Sequence, residues 1–568
     1  MRSKTKAMDK YFFLLWIALF LSVGCMEKRD ESSPVLYVQM DNEPDKLHPV
    51  VGISYSRAVL LPLLHKSLLK RNPKDGRLEP ELLAKLPDFE PDGLKAVLEL
   101  KEDLFWSNGK PITAYDVLFT LKVYQSVFTP HFPNKDAFLR IHHLKVLDSL
   151  RFEIVFNQKH FMNEEMLTNF LPLSANFWDE KEILQPLTLM EVRQPQGESL
   201  PEWAAWFNDF HALSKADLVN TAGSGDYVLE EVVPKKRLIL SKVEAKADGK
   251  PQKMVFIFEA EQAKIKAALK GGYIDVSTRL KPALFQHLTE TQPLENYQSK
   301  SFPQYSYRYL AFNMRPDLST QSPFFVEREV REAIRLLLPF EEILSRLYDN
   351  KAERQFTFVS TDHPDYNEDL PKNQENMALA RERLKQAGWE RDGARQVLKK
   401  KVLGEDFYFE PHLNYVATPE LETLAKLIRS QLAKVGIKVV LNPMPLDDLY
   451  KYAFRHDFDF MLGAWSYSGG PTDPEPIWHT RHHENNGYNF TGFGNAQTDA
   501  LIEKANTTMN KSKRSNLLKS LQMEIHQEVP YVFLFSENRN MLVHQRWEGV
   551  TFVRERPGLI LEDLRLAP

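Results

Sequence analysis

Apolar positions along this chain fall into short strand-like runs in its first half and into alternating helical and strand periods in its second half. Val35 to Met40 is an apolar run followed by the turn-rich Asp41-Asn42-Glu43-Pro44-Asp45, which predicts a strand and its exit. Leu94 to Lys101 follows the Pro91-Asp92-Gly93 turn, and Ser107-Asn108-Gly109 marks another turn before a helix. Thr113 stands at that helix's N-cap with Asp116 at the reciprocal capping-box place, and Val117, Leu118 and Leu121 supply one apolar face.

Farther on, Thr418 and Pro419 open a helix whose apolar face is Leu421, Leu424, Ala425, Ile428, Leu432 and Val435, and Gly436 ends it. A strand is expected at Ile437 to Leu441, a helix from about Leu446 to Arg455, and a strand at Phe458 to Trp465 that runs into Ser468-Gly469-Gly470-Pro471. This alternation predicts an α/β fold. Ligands in such sheets lie beyond strand ends, so the loop from Trp465 to Asp473 is the candidate recognition site.

The first residues change the picture. Arg2, Lys4, Lys6 and Lys10 precede an apolar stretch from Tyr11 to Val23, and Cys25, the only cysteine, follows the small residues Ser22-Val23-Gly24. That stretch is shorter than the ~20 residues a spanning helix needs, so residues 1–24 read as a signal peptide and 25–33 as a polar tether. Removing the signal peptide takes away four basic groups and one acid, leaving a mature chain more acidic than the whole chain's formal −4. With acids and bases interspersed, nothing resembles a nucleic-acid-binding stripe. One cysteine permits no intrachain disulfide.

Several blocks occur in an order that resembles one family along nearly the whole mature length. They include Asn42-Glu43-Pro44-Asp45-Lys46-Leu47-His48-Pro49, Trp106-Ser107-Asn108-Gly109-Lys110-Pro111-Ile112-Thr113-Ala114-Tyr115-Asp116-Val117 and Gly223-Ser224-Gly225-Asp226-Tyr227. Lys270-Gly271-Gly272-Tyr273-Ile274-Asp275-Val276, Tyr309-Leu310-Ala311-Phe312-Asn313 and Gln386-Ala387-Gly388-Trp389 continue the series. The chain is similar to the bacterial extracellular solute-binding proteins of the oligopeptide, dipeptide and nickel type. Leu21-Ser22-Val23-Gly24-Cys25 likewise resembles a lipobox, with Cys25 the lipidated residue.

The resemblance implies an α/β, two-lobed periplasmic-binding-protein fold with an extra domain inserted in the first lobe. The expected division is lobe I from 34–51, 185–300 and 529–568, an inserted domain from 52–184, and lobe II from 301–528. It further implies an exported monomer, lipid-anchored to a bacterial membrane and facing the periplasm or the exterior. This receptor would capture a peptide or similar small solute and pass it to the permease subunits of an ABC importer, without a cofactor or catalytic residue. The chain carries no G-x-x-x-x-G-K-[ST], H-E-x-x-H or G-x-S-x-G motif.

In peptide-binding relatives the segment matching Gly463-Ala464-Trp465 offers a backbone edge, and an aspartate three residues after the tryptophan pairs with the peptide amine. Here that place holds Ser468, and Asp473 in Pro471-Thr472-Asp473-Pro474 is the candidate substitute. Trp465 and Tyr467 are candidates to stack on the solute, while Asn313 and Glu43 either contact it or satisfy local backbone groups. His479, His482 and His483 read either as a solvated loop or as help for a metal chelate. A signalling or partner-binding lipoprotein is the other alternative, with the stretch Gln194 to Asp217, holding Trp203 and Trp206, as either a partner surface or a packed insertion.

Overall fold

The computed structural model describes residues 32–568 except 53, 131, 133–134, 197–199, 247, 316–323, 373, 403, 468 and 484–486. The signal segment, Cys25 and Ser468 therefore lie outside the described residues. Among those described, no helix is long and apolar enough to cross a membrane.

The run Val35–Met40 forms a strand with the expected bounds. It lies inside a seven-stranded sheet, parallel to both Lys253–Phe258 and Val276–Ser277. Leu36 and Val38 are fully buried there, which explains why so short a run is nearly unbroken in apolar character. A four-stranded sheet is built from Asp88–Phe89, Lys95–Glu99, Arg151–Phe156 and Ile141–Val146, and the capped helix Ala114–Gln125 covers it. The Thr113 N–H and hydroxyl both donate to Asp116 Oδ2, at 2.8 and 3.0 Å, and the Ala175 N–H donates to Oδ1 at 2.8 Å. A cap of this kind is worth ~1 kcal/mol, and here it also pins the next segment of chain.

The third large sheet has five strands, in the order Val440–Met444, His412–Val416, Phe460–Ser466, Ser306–Phe312 and Tyr531–Phe533. The helix Pro419–Ala433 packs on it through Leu421, Leu424, Ala425, Ile428 and Leu432, the stripe that the spacing predicts. Two expected strands are displaced. The strand expected from Ile437 runs over Val440–Met444, because the Ile437 N–H closes the helix end on the Leu432 carbonyl at 3.2 Å. The strand expected from Phe458 begins at Phe460, because the carbonyls of His456 and Phe458 accept the Asn313 amide at 2.8 and 3.0 Å.

Three segments pack away from the unit their expected boundaries give them. Tyr531–Phe533 joins the five-stranded sheet, Leu60, Leu63 and Leu64 join the core of the seven-stranded sheet, and Trp203, Phe207 and Phe210 join the core of the four-stranded sheet. Apolar side chains distant in sequence decide these memberships. Trp203 is buried, and the Trp206 indole N–H donates to the Trp178 carbonyl at 3.2 Å while its ring stacks on Phe210 at 5.0 Å. The stretch around these tryptophans is thus packed, with the rings directed into the protein.

Two connections link the seven- and five-stranded sheets. Tyr297–Pro303 continues into Ser306–Phe312, and Tyr531–Phe533 continues through Phe535–Ser536, which pairs with Glu353–Arg354, into Asn538–His544. They run side by side: Pro303 is opposite Asn538, and the Ser536 hydroxyl donates to the Gln304 carbonyl at 3.0 Å. This paired crossing is the geometry of a hinge.

Candidate functional site

Phe460–Ser466 pairs along its full length with Ser306–Phe312 but meets His412–Val416 only at Phe460 and Met461. From Leu462 onward the strand is paired in the sheet on one side only, and Ala464 and Ser466 are exposed. Gly463 stands opposite Tyr309, and a Cβ there would lie 2.4 Å from Tyr309 Cζ. Glycine is what lets the ring lie across the strand. Tyr309 then stacks on Tyr531 at 4.1 Å with the rings 1° apart, and the Trp465 indole N–H donates to the Tyr531 hydroxyl at 3.4 Å. Trp465 also stacks on Phe490 at 6.0 Å, and Tyr467 lies beside Tyr305 and Tyr307 at 5.6 and 6.2 Å. Both candidate aromatics are half-buried on this aromatic bed.

The loop that follows threads between elements of other units. A Cβ on Gly469 would lie 2.8 Å from both Tyr305 and the Glu555 carboxylate, and one on Gly470 would lie 2.8 Å from Arg71 and 2.9 Å from Glu165. Arg71 and Glu165, on the four-stranded-sheet unit, are themselves ion-paired and nearly buried. Any side chain there would have to displace the ends of these four residues, which favours the Gly-Gly pair. Nearby, the Phe161 N–H donates to the Asn506 carbonyl at 2.9 Å, and the Arg514 guanidinium lies 4.4 Å from the Phe161 ring centre.

Asp473 sits in this contact. Its Oδ1 accepts the Glu475 N–H at 3.0 Å, as a turn former's would, and its Oδ2 is 3.7 Å from His160 Nε2. His160 Nδ1 accepts the Met162 N–H at 3.0 Å, so the neutral ring carries its proton on Nε2, facing the carboxylate. The separation is too long for a direct hydrogen bond and suits one bridging polar atom. Burial, aided by the Glu475 charge, raises the Asp473 carboxyl to about 6, whereas burial and the Arg140 charge lower His160 to about 3. Glu475 is pushed up by burial, but bonds from His482 and Arg481 in its own loop outweigh this and hold it at about 2.

These shifts oppose one another in the contact's pH dependence. Across about pH 4 to 6 the closed contact binds a proton at Asp473 that an opened one releases, while an opened contact binds a proton at His160 that the closed one refuses. The two terms cancel, so closure should be nearly independent of pH in that window. Asp473→Asn should expose the His160 term, weakening closure as pH falls below about 6. His160→Gln should expose the opposite term, strengthening closure over the same range. Small-angle scattering of each variant between pH 4 and 7 measures this, and the same profile for both would contradict it.

The remaining candidates have local partners. Both amide hydrogens of Asn313 are spent on the His456 and Phe458 carbonyls, and its oxygen accepts the Arg315 N–H at 3.2 Å. Glu43 pairs with Lys215 at 2.9 Å and accepts the Lys235 N–H at 3.2 Å; burial raises its pKa, but these bonds outweigh that and leave it lowered. The three loop histidines diverge. His479 lies 3.4 Å from Asp499 and from Glu503, His482 is 3.6 Å from Glu475, and His483 Nε2 bonds the Phe493 carbonyl at 2.8 Å. Among the described residues no group of three or more His, Cys, Asp or Glu is placed to hold a metal ion. Sequence reading gave no site role to His160, Arg71 or Glu165, which meet the loop only through the fold.

A family model described as bacterial extracellular solute-binding proteins, family 5 Middle, matches residues 77–488. Over 266 residues the chain is 27% identical to the oligopeptide-binding protein AppA of Bacillus subtilis (strain 168), covering 46% of this chain and 47% of that protein. The chain thus spans about half the length of that curated relative and of the dipeptide-binding protein of Pseudomonas aeruginosa, with which it is 25% identical. The fold matches the structure of the Bacillus subtilis AppA in complex with a nonapeptide, with a TM-score of 0.78 at 21% identity, over 94% of this chain and 99% of that one. It also matches NikZ from Campylobacter jejuni in complex with Ni(L-His), with a TM-score of 0.72 at 16% identity, over 94% and 99% of the two chains.

Proposed function

Because the chain belongs to the bacterial extracellular solute-binding proteins of family 5, we propose that it captures a peptide or similar small solute between its two lobes and delivers it to an ABC importer. The observation that carries this reading is the one-sided strand end at 462–466, beside Trp465 and the loop that reaches the other lobe. An extended peptide adding to that edge gains main-chain hydrogen bonds whatever its side chains are. Contacts from both lobes then favour the closed form by the solute's differential affinity for it. The names of the relatives, oligopeptide-, dipeptide- and di/tripeptide-binding proteins, support a peptide. The role is binding, without bond making.

Asp473 is the proposed partner of a solute amine, standing in for the aspartate that Ser468 replaces. Its Oδ2 lies 3.7 Å from His160 Nε2, beyond direct hydrogen-bond distance, and so can accept a solute N–H. Native mass spectrometry of the purified protein should show a ladder of retained peptides, and Asp473→Asn should lower calorimetric affinity for a free-amine peptide about tenfold, the worth of one buried charged hydrogen bond. Retained metal or sugar mass, or an unchanged affinity, would overturn these assignments in turn.

The proposed division keeps a signal peptide at 1–24 and a tether beginning at Cys25, and it follows the three large sheets, with the crossing at 303–306 and 536–538 as the lobe boundary. Cys25 is the proposed lipid attachment point, and several acyl chains there would make anchoring stable. Cys25→Ser should move the protein from the membrane fraction to the soluble fraction on cell fractionation, with its unfolding midpoint unchanged.

A further inference from the structure

Tyr55 opens the helix Tyr55–Leu64, and three guanidinium groups surround its ring. The carbons at their centres lie 5.2 Å (Arg279), 5.8 Å (Arg556) and 5.9 Å (Arg539) from the ring centroid. The three come from separate places: Arg279 follows the strand Val276–Ser277, Arg539 lies just beyond the hinge crossing, and Arg556 is in the C-terminal segment. Among the described residues, none of the three has a carboxylate within ion-pair distance. Arg539 is 3% exposed, its two bonds go to the neutral Glu555 carbonyl at 2.8 Å and Gln304 Oε1 at 3.3 Å, and its Nε is buried without a partner. Among the described residues, no group hydrogen-bonds the Arg279 or Arg556 guanidinium.

Burial lowers the Arg279 pKa, but the charges of Glu537, Tyr55, Asp41 and Glu420 outweigh it and leave it raised; the two glutamates are themselves bonded to other side chains. Glu537 binds Arg308 Nε at 3.0 Å, and Glu420 accepts the Tyr348 hydroxyl at 2.6 Å. Three cations gathered with no ion pair, one of them almost wholly buried, are costly, and an anion or water at the cluster lowers that cost. Burial and the neighbouring Arg279 charge lower the pKa of both Arg539 and Arg556. The cluster also adjoins the candidate site: the Glu555 that receives Arg539 through its carbonyl has its carboxylate against Gly469. Guanidinium groups match carboxylate geometry bidentately, and a helix N-terminus adds a favourable partial charge.

We propose that Arg279, Arg539 and Arg556, arrayed around Tyr55, form a subsite for a carboxylate of the solute. The proposal rests on the reading that solute binds between the lobes. The carboxylate is either a peptide's C-terminus, its backbone lying on the 462–466 edge, or that of a small non-peptide acid.

Calorimetry on the full chain tests it with three probes: a pool of uncharged-side-chain pentapeptides with free C-termini, the same pool amidated at the C-terminus, and citrate. The free-acid pool should bind at least tenfold more tightly than the amidated pool. Arg279→Gln and Arg556→Gln, whose guanidinium groups make no ion pair or hydrogen bond among the described residues, should each bring the two pools toward the same affinity, while Arg279→Lys should retain part of the difference. Equal affinities in the unaltered protein would overturn the subsite and leave peptide capture standing. Discrimination that survives both glutamine variants would also overturn it. Citrate binding that Arg279→Gln weakens, with neither pool bound, would uphold the subsite and overturn peptide capture. No binding of any probe would overturn both.

Discussion

Glu537→Ala is expected to cost about 3 kcal/mol of stability, the lower end of what breaking a buried ion pair costs. Glu537 lies in the hinge crossing, and its carboxylate binds the Arg308 guanidinium through Nε at 3.0 Å and through Nη2. Both side chains are about 15% exposed, so removing the acid strands a largely desolvated cation. The loss stays at the lower end because Glu420 remains 3.4 Å from Arg308. The pair's net worth is a separate quantity. Replacing both partners, as Arg308→Met with Glu537→Leu, should recover most of the loss, since packed apolar groups pay no desolvation penalty. Urea unfolding of the single and double variants gives both numbers, and a double variant no better than Glu537→Ala would show that the pair itself stabilises the hinge.

Gly463→Val should destabilise the protein by about 2 to 3 kcal/mol and abolish solute binding together. The added Cβ would lie 2.4 Å from Tyr309 Cζ and 2.5 Å from its hydroxyl. The ring has little room to retreat, because Tyr531 lies face to face with it at 4.1 Å. Displacing Tyr531 in turn shifts the hydroxyl that receives the Trp465 indole N–H. Gly463→Ala places the same Cβ and should show most of the effect, with valine adding overpacking. Urea unfolding and calorimetry with the free-acid pool measure the two losses; an alanine variant that matches the unaltered protein in both would show that Tyr309 yields easily.

Local rules made much of the fold legible. Thr113 and Asp116 form the capping box, and the stripe from Leu421 to Leu432 is buried as its spacing requires, because both depend on neighbours within one or two helical turns. Strand starts were misplaced by two or three residues at Ile437 and Phe458. In each case a group outside the strand, the helix end at Leu432 or the Asn313 amide, claims the backbone first.

The site was half legible. Trp465, Tyr467 and Asp473 belong to one contiguous loop, so a strand run that ends on glycines marked them together. His160 meets Asp473 from more than 300 positions away, and Tyr55, Arg279, Arg539 and Arg556 converge from three distant parts of the chain. No spacing along a sequence encodes such a meeting.

By itself, the sequence determined the class of the protein: an α/β chain with ordered family blocks, an apolar stretch before a lone cysteine, and a glycine loop at a strand end. Those properties reside in periodicity, turn chemistry and residue order, all of which are local. Only the tertiary structure decided which side chains meet around the strand end at 462–466, which carboxylates are already spent on arginines, and which arginines are left without an ion pair among the described residues. Charge pairing and burial depend on distance through space, and folding sets that distance only when the sheets pack.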